Sequence, residues 1–144
     1  MMIKIEVYSD GSGNSFSSDG GWGSVILIDG VKTKELSGYL PSATNNTAEL
    51  TAGVQGLKYA DAYIQAAKLK EYEVTLISDS QLVLCYASGK WKCKAIHLAP
   101  LKIEIMNLYN KLNVIGKWVK GHSGNEFNEL CDQLAGEARK NKGV

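Results

Sequence analysis

The sequence predicts an α/β fold, a mixed five-stranded sheet flanked by helices in the order βββαβααβα. Two observations carry this. The first forty residues alternate apolar and polar side chains between glycine-rich turns, and beyond Asn45 the hydrophobic period becomes helical, interrupted by short apolar strands. A chain of 144 residues, 44% hydrophobic and 22% charged, suits one compact domain over residues 1–144 and excludes a disordered polymer.

From Ile3 to Ser9, Ile3, Ile5 and Val7 fall on one side and Lys4, Glu6 and Tyr8 on the other, as in a strand with one buried face. Asp10-Gly11 breaks that pattern, and a Gly/Ser-rich loop runs to Gly20. Trp22–Ile28 and Val31–Tyr39, joined by the hairpin signal Asp29-Gly30, complete a three-stranded antiparallel meander. Pro41–Asn45 is turn chemistry offering Thr44 or Asn45 as a helix cap, after which Leu50, Val54, Leu57 and Ile64 mark one face of a helix reaching about Lys68. Glu73–Ser78 reads as a strand, Asp79–Ala87 as a short helix, and Ser88–Leu98 as an irregular lysine-rich segment. A helix over Ala99–Leu112, a strand over Val114–Val119, the loop Lys120–Gly124 and a last amphipathic helix from about Asn125 to Lys140 follow. Strands one, four and five are separated by helices, which predicts that they are parallel.

Sixteen basic against fifteen acidic residues give a net charge of +1, excluding a uniformly basic coat. The charge is unevenly spread, however: residues 1–87 carry net −4 and residues 88–144 net +5, so an anionic partner would favour the second portion. No apolar stretch is long enough to span a bilayer and the first residues lack a signal peptide's apolar run, so the expectation is a cytoplasmic protein without membrane attachment. Cys85, Cys93 and Cys131 are odd in number and without C-x-x-C spacing, as suits thiols in a reducing compartment.

Four carboxylates stand at element ends. Asp10 closes strand one and Asp79 closes strand four, so in a sheet with parallel neighbours both project at the carboxyl edge, where open α/β sheets bind ligands. Asp-Gly is also ordinary turn chemistry, and Ser78-Asp79-Ser80 an ordinary helix cap. Glu49 reads as a first-turn acid favoured by the helix dipole, yet it heads a stripe of small residues, Gly53, Gly56 and Ala60, that would let the helix press on the sheet near Asp10. Asp132 borders the apolar face Phe127, Leu130, Leu134 and Ala138, where a solvated rim residue is equally ordinary. If the four converge, like charges raise one another's pKa and oppose folding unless a cation intervenes, and a divalent metal is the natural remedy.

Five strings, YSDGSG at Tyr8–Gly13, TNNTAEL at Thr44–Leu50, SDSQ at Ser78–Gln81, WVKGHSG at Trp118–Gly124 and NELCDQLA at Asn128–Ala135, resemble type 1 ribonuclease H in order and in placement, across nearly the whole chain. The resemblance implies a ribonuclease H-like fold and an endonuclease that cuts the RNA strand of RNA–DNA hybrids, leaving 5′-phosphate and 3′-hydroxyl ends. It implies that Asp10, Glu49, Asp79 and Asp132 hold two Mg²⁺ ions, with Mn²⁺ an alternative, about 3.5–4 Å apart. Spacing does not choose the ligand that bridges the ions; the resemblance points to Asp10. It makes His122 a proton shuttle that also helps product leave, a role suited to the one side chain type that titrates near neutrality; read alone, His122 is a surface loop histidine, as His97 is.

By the same resemblance Gly11, Ser12, Gly13, Asn45, Asn46 and Gln81 contact the hybrid's minor groove, where RNA is told from DNA by its 2′-hydroxyl, and Asn128 lies close to the catalytic centre, holding a strand or supporting Asp132. The chain departs from many bacterial members in lacking most of a basic helical protrusion. Lys90, Trp91, Lys92 and Lys94 stand there, either as its remnant on the DNA strand or as a solvated lysine loop with Trp91 packed inward. The rivals are another nuclease of this architecture, such as an integrase or junction resolvase core, a hybrid-binding module without activity, and a domain of a reverse transcriptase. The four carboxylates with His122, and the complete terminal elements, predict instead a free-standing, monomeric enzyme.

Overall fold

The computed structural model describes residues 1–13 and 19–142. Five strands, β1 (Ile3–Gly13), β2 (Gly20–Ile28), β3 (Val31–Leu40), β4 (Tyr72–Ser78) and β5 (Ile115–Trp118), form one sheet in the order β3-β2-β1-β4-β5. Helices α1 (Asn45–Ala66), α2 (Gln81–Ala87), α3 (Ala99–Lys111) and α4 (Glu126–Asn141) complete the expected order, with a single 3-10 turn at Ile96–Leu98 in the irregular segment. The meander is antiparallel, and β1, β4 and β5 are parallel, as the helical crossovers require. No helix among the described residues is long and apolar enough to cross a membrane.

Alternation along β1 assigns the two faces of the sheet. Ile5 and Val7 are fully buried among Leu50, Val54 and Leu57 of α1. Tyr8 points the other way, into the group formed by Val25, Leu27, Cys131, Phe127, Leu130 and Leu134, and so packs on α4. The hairpin signal is realised: Asp29 and Gly30 have φ of 49° and 80°, the left-handed pair that a two-residue turn requires between Ile28 and Val31.

At the carboxyl edge, the end of β1 and the start of the helix after β4 differ from the sequence reading. Asp10-Gly11 does not end β1, which continues to Gly13 paired with β2; residues 14–18 of the expected loop lie outside the described residues. The helix after β4 begins at Gln81 rather than Asp79, capped by the Ser80 hydroxyl, which accepts from the Val83 N–H at 3.2 Å. Of the two caps that the sequence offers, Thr44 is the one used for α1. Glu49 is therefore the fifth helical residue, past the first turn, where the helix dipole has lost its grip on a carboxylate.

The small-residue stripe does part of what was expected. A Cβ on Gly56 would lie 2.5 Å from Val7 Cγ1, so this glycine seats α1 on the sheet, whereas Gly53 makes room for Ile105 of α3. The contact that brings Glu49 to Asp10 comes from the strand instead. A Cβ on Gly11 would sit 2.3 Å from the Glu49 backbone nitrogen, so β1 and α1 touch backbone to backbone beside the two acids.

This geometry predicts opposite outcomes for two alanines. Gly11→Ala meets rigid backbone and should destabilise the fold by about 3 kcal/mol. Gly136→Ala, in the interior of α4 with nothing within 4 Å of its new methyl, should stabilise by up to about 1 kcal/mol. Urea unfolding midpoints check both, and equal effects of the two would contradict the packing described.

Candidate active site

The parallel ladder between β1 and β4 closes on the pair Ser9↔Ser78, and the next residue on each strand is an aspartate. Register alone thus sets Asp10 and Asp79 side by side at the carboxyl edge. The flanking serines handle the local backbone: Ser78 Oγ accepts from the Ser80 N–H at 3.0 Å while Ser80 caps α2, so the Asp79 carboxylate is not consumed as a cap. Glu49 reaches the same point from α1. One carboxylate oxygen from each of Asp10, Glu49 and Asp79 lies within 4.8 Å of the others.

Asp10 is 6% exposed. Burial, then the charge of Asp79, push its carboxyl from the ordinary range up to about 8; the Gly11 N–H, which donates to Oδ1 at 2.9 Å, opposes this, and Asp132 and Glu49 add to it. Glu49 is raised chiefly by burial, against hydrogen bonding from Ser80 and Asn45. Asp79 is raised by burial and by Asp132, and His122 works the other way. Asp132 thus belongs to the same field although its side chain, on α4, is exposed and outside the tight trio. Among the described residues no salt bridge reaches any of the four.

Three clustered hard oxygen donors, Asp10 buried and Glu49 and Asp79 half-buried, all with raised pKa values and without a salt bridge among the described residues, are what a divalent ion such as Mg²⁺ or Mn²⁺ is suited to join. The residues present fit such a group, with Asp10, Glu49 and Asp79 as ligands and Asp132 at the open side.

The loop after β5 carries His122, which is exposed, sits at φ 55° and interacts favourably with Asp79. Two neighbours absent from the sequence reading hold that loop in place. Trp118 Nε1 donates to the Asp79 carbonyl at 3.0 Å, and a Cβ on Gly121 would lie 2.8 Å from Asp79 Oδ2. Both stand in the WVKGHSG string, but spacing gives no sign that they touch Asp79.

The remaining candidates ring this point or stand apart from it. Ser12 and Gly13 end β1, and Gly13 packs against the Asn45 backbone, beside exposed Asn45 and Asn46. Gln81 opens α2 and shares a cleft of about 290 Å³ with Lys90 and Trp118. Trp91 is 42% exposed, and Lys92 and Lys94 are exposed near it. Asn128 is 5% exposed, so it supports α4 one turn before Asp132. His97 lies exposed in the 3-10 turn.

Comparison with known proteins gives a consistent picture. The model of the RNase H family matches residues 3–140. A ribonuclease H of Chlorobium phaeobacteroides (strain BS1) is 38% identical over an alignment covering 98% of this chain and 99% of that protein. LC11-RNase H1, isolated from compost, superposes with a TM-score of 0.82 at 28% identity, covering 96% of this chain and 97% of its own. The same LC11-RNase H1 solved in complex with an RNA/DNA hybrid gives a TM-score of 0.81 at 27% identity over 96% and 98% of the two chains.

The buried acid predicts the pH dependence of stability in metal-free buffer. Folded Asp10 holds its proton to about 8, whereas unfolded aspartate releases it near pH ~4. Between those limits the folded state binds more protons, so stability falls as pH rises from about 4 to about 8, by on the order of a few kcal/mol. Asp10→Asn should flatten that decline, as should millimolar Mg²⁺. Thermal melts across the range check this; a wild-type Tm that climbs from pH ~5 to ~8 without metal would contradict it.

Proposed function

The chain belongs to the ribonuclease H family and is an endoribonuclease acting on the RNA strand of RNA–DNA hybrids; from that premise we propose that Asp10, Glu49, Asp79, Asp132 and His122 perform the cut. The observation that carries the assignment is the meeting of three carboxylates from β1, α1 and β4 within 4.8 Å at the carboxyl edge of the sheet. When bound, two divalent ions, Mg²⁺ or alternatively Mn²⁺, supply activation of the attacking water and neutralisation of charge on the leaving 3′ oxygen. Products then carry 5′-phosphate and 3′-hydroxyl ends.

The chain's own residues do the rest. Asp10, the most buried of the four and flanked by the others, would hold the ions together with Glu49, Asp79 and Asp132. Glu49 and Asp79 would supply ligands beside it, and Asp132, exposed on α4, would complete the set. His122, exposed and drawn towards Asp79, moves a proton at the departing oxygen and helps product leave. Ser12, the Gly11 and Gly13 backbone, Asn45, Asn46 and Gln81 read the 2′-hydroxyl from around the carboxylates. Lys90, Trp91 and Lys92 hold the DNA strand with charge and an aromatic face. The LC11-RNase H1 complex with an RNA/DNA hybrid supports the substrate assignment. The same proposal takes the enzyme as a cytoplasmic monomer, resting on the cysteine spacing and charge pattern of the sequence.

Incubation of labelled hybrid, RNA duplex and DNA duplex with Mg²⁺ should yield cleavage of the hybrid's RNA strand alone. Asp10→Asn should abolish it while leaving the fold intact, and His122→Ala should slow it about a hundredfold without eliminating it. Turnover by Asp10→Asn at the wild-type rate would refute the assignment, and an unchanged rate for His122→Ala would remove that residue's role.

A further inference from the structure

Past the carboxylates, on the side away from Lys90 and Trp91, a second cleft of about 440 Å³ opens between the end of β1 and the C-terminal end of α4. Ser12, Asp19, Gly136, Arg139, Lys140 and Lys142 line it. We propose that this cleft binds a backbone phosphate of the RNA strand about three nucleotides from the cut, a contact that rests on the hybrid-cleaving activity proposed above.

Two elements lead from the acids to the cleft. On β1, Asp10 and Ser12 are two residues apart and share a face. On α4, Gly136, Arg139 and Lys140 follow Asp132 at i+4, i+7 and i+8 and so share its stripe. At 1.5 Å per residue, Lys140 stands about 12 Å along the helix from Asp132. Successive nucleotides of a strand advance about 3.4 Å along a duplex, so that distance corresponds to about three steps. The strand that crosses the carboxylates is the one cut, and the cleft continues its line; Lys90 and Trp91, beside α2 and β5, lie on the opposite flank.

The chemistry of the lining suits an anion. Three cations face one carboxylate, and that carboxylate already has work: Arg139 Nε donates to Asp19 Oδ1 at 3.2 Å and the Tyr39 hydroxyl donates to Oδ2 at 3.3 Å. Asp19 thereby orients Arg139. Lys140 and Lys142 make no salt bridge among the described residues. Lys142 sits at φ 50°, the left-handed cap that turns the chain back, and its N–H bonds to the Arg139 carbonyl at 3.3 Å, so the third cation stays at the cleft. Complementing the helix dipole explains cations in the last turn of α4; it does not explain why Ser12 of β1 and the turned-back Lys142 share their cleft.

The test measures anisotropy of a fluorescein-labelled hybrid without divalent metal, so that nothing is cut, at salt between about 50 and 200 mM. The slope of log K against log salt should be shallower by about 0.9 for Lys140→Ala/Lys142→Ala, the amount expected when one phosphate interaction is lost. Over that range the wild type then loses about threefold more affinity than the variant. Lys140→Arg/Lys142→Arg and the remote pair Lys34→Ala/Lys70→Ala should keep the wild-type slope. Shortening the RNA strand so that it ends before the cleft should erase the difference between wild type and the alanine pair, whereas shortening the DNA strand should preserve it. Identical slopes for wild type and the alanine pair, or a difference that follows the DNA strand, would overturn the proposal. Cleavage of the same hybrid with Mg²⁺ is read in parallel: a wild type that binds with the expected slopes but does not cut would sink the activity and leave the cleft standing.

Discussion

Buried like charges dominate this structure. Asp10 is nearly without solvent, beside Asp79 and Glu49 and within the field of Asp132, and no lysine or arginine offsets them among the described residues. A fold does not collect such a group for its own stability, because desolvation and mutual repulsion both oppose ionisation. The folded chain answers by holding protons more tightly than the unfolded one, or by accepting a divalent ion whose charge exceeds that of any side chain.

The rest of the architecture maintains that arrangement. The last rung of the parallel ladder, Ser9↔Ser78, fixes where the two aspartates emerge, and a one-residue slip would send them to the other face. Gly11 lets α1 come to backbone contact so that Glu49 arrives at the same point. Ser80 relieves Asp79 of capping duty, while Trp118 and Gly121 press the loop of His122 against it. The two sheet faces are covered by α1 and α4, which is why the acids come from elements on both sides.

Most of this is legible in the sequence. Alternation along Ile3–Ser9 gave the first strand, Asp29-Gly30 gave the hairpin, and helical crossovers gave the parallel strands. The four carboxylates were marked by their positions at element ends and, by resemblance to type 1 ribonuclease H, by the five strings around them. What escaped was contact between distant backbones. Asp10-Gly11 looked like a turn because Asp-Gly favours turns locally, whereas Gly11 is there to admit α1 and the strand runs on. The dipole explanation of Glu49 fails because α1 starts from Thr44, the earlier of the two caps that the sequence offers, which leaves Glu49 past the first turn. Trp118 and Gly121 touch Asp79 from β5 and the loop after it, a tertiary relation that no periodicity encodes, and the cleft of Lys140 and Lys142 exists only because Ser12 and the end of α4 are brought together.

The central claim is that these carboxylates jointly hold divalent metal. Anomalous diffraction from crystals grown or soaked in MnCl₂ tests it most directly: the account expects manganese peaks bounded by oxygens of Asp10, Glu49, Asp79 and Asp132. A map with no peak there at saturating Mn²⁺, or with peaks only elsewhere on the surface, would contradict it.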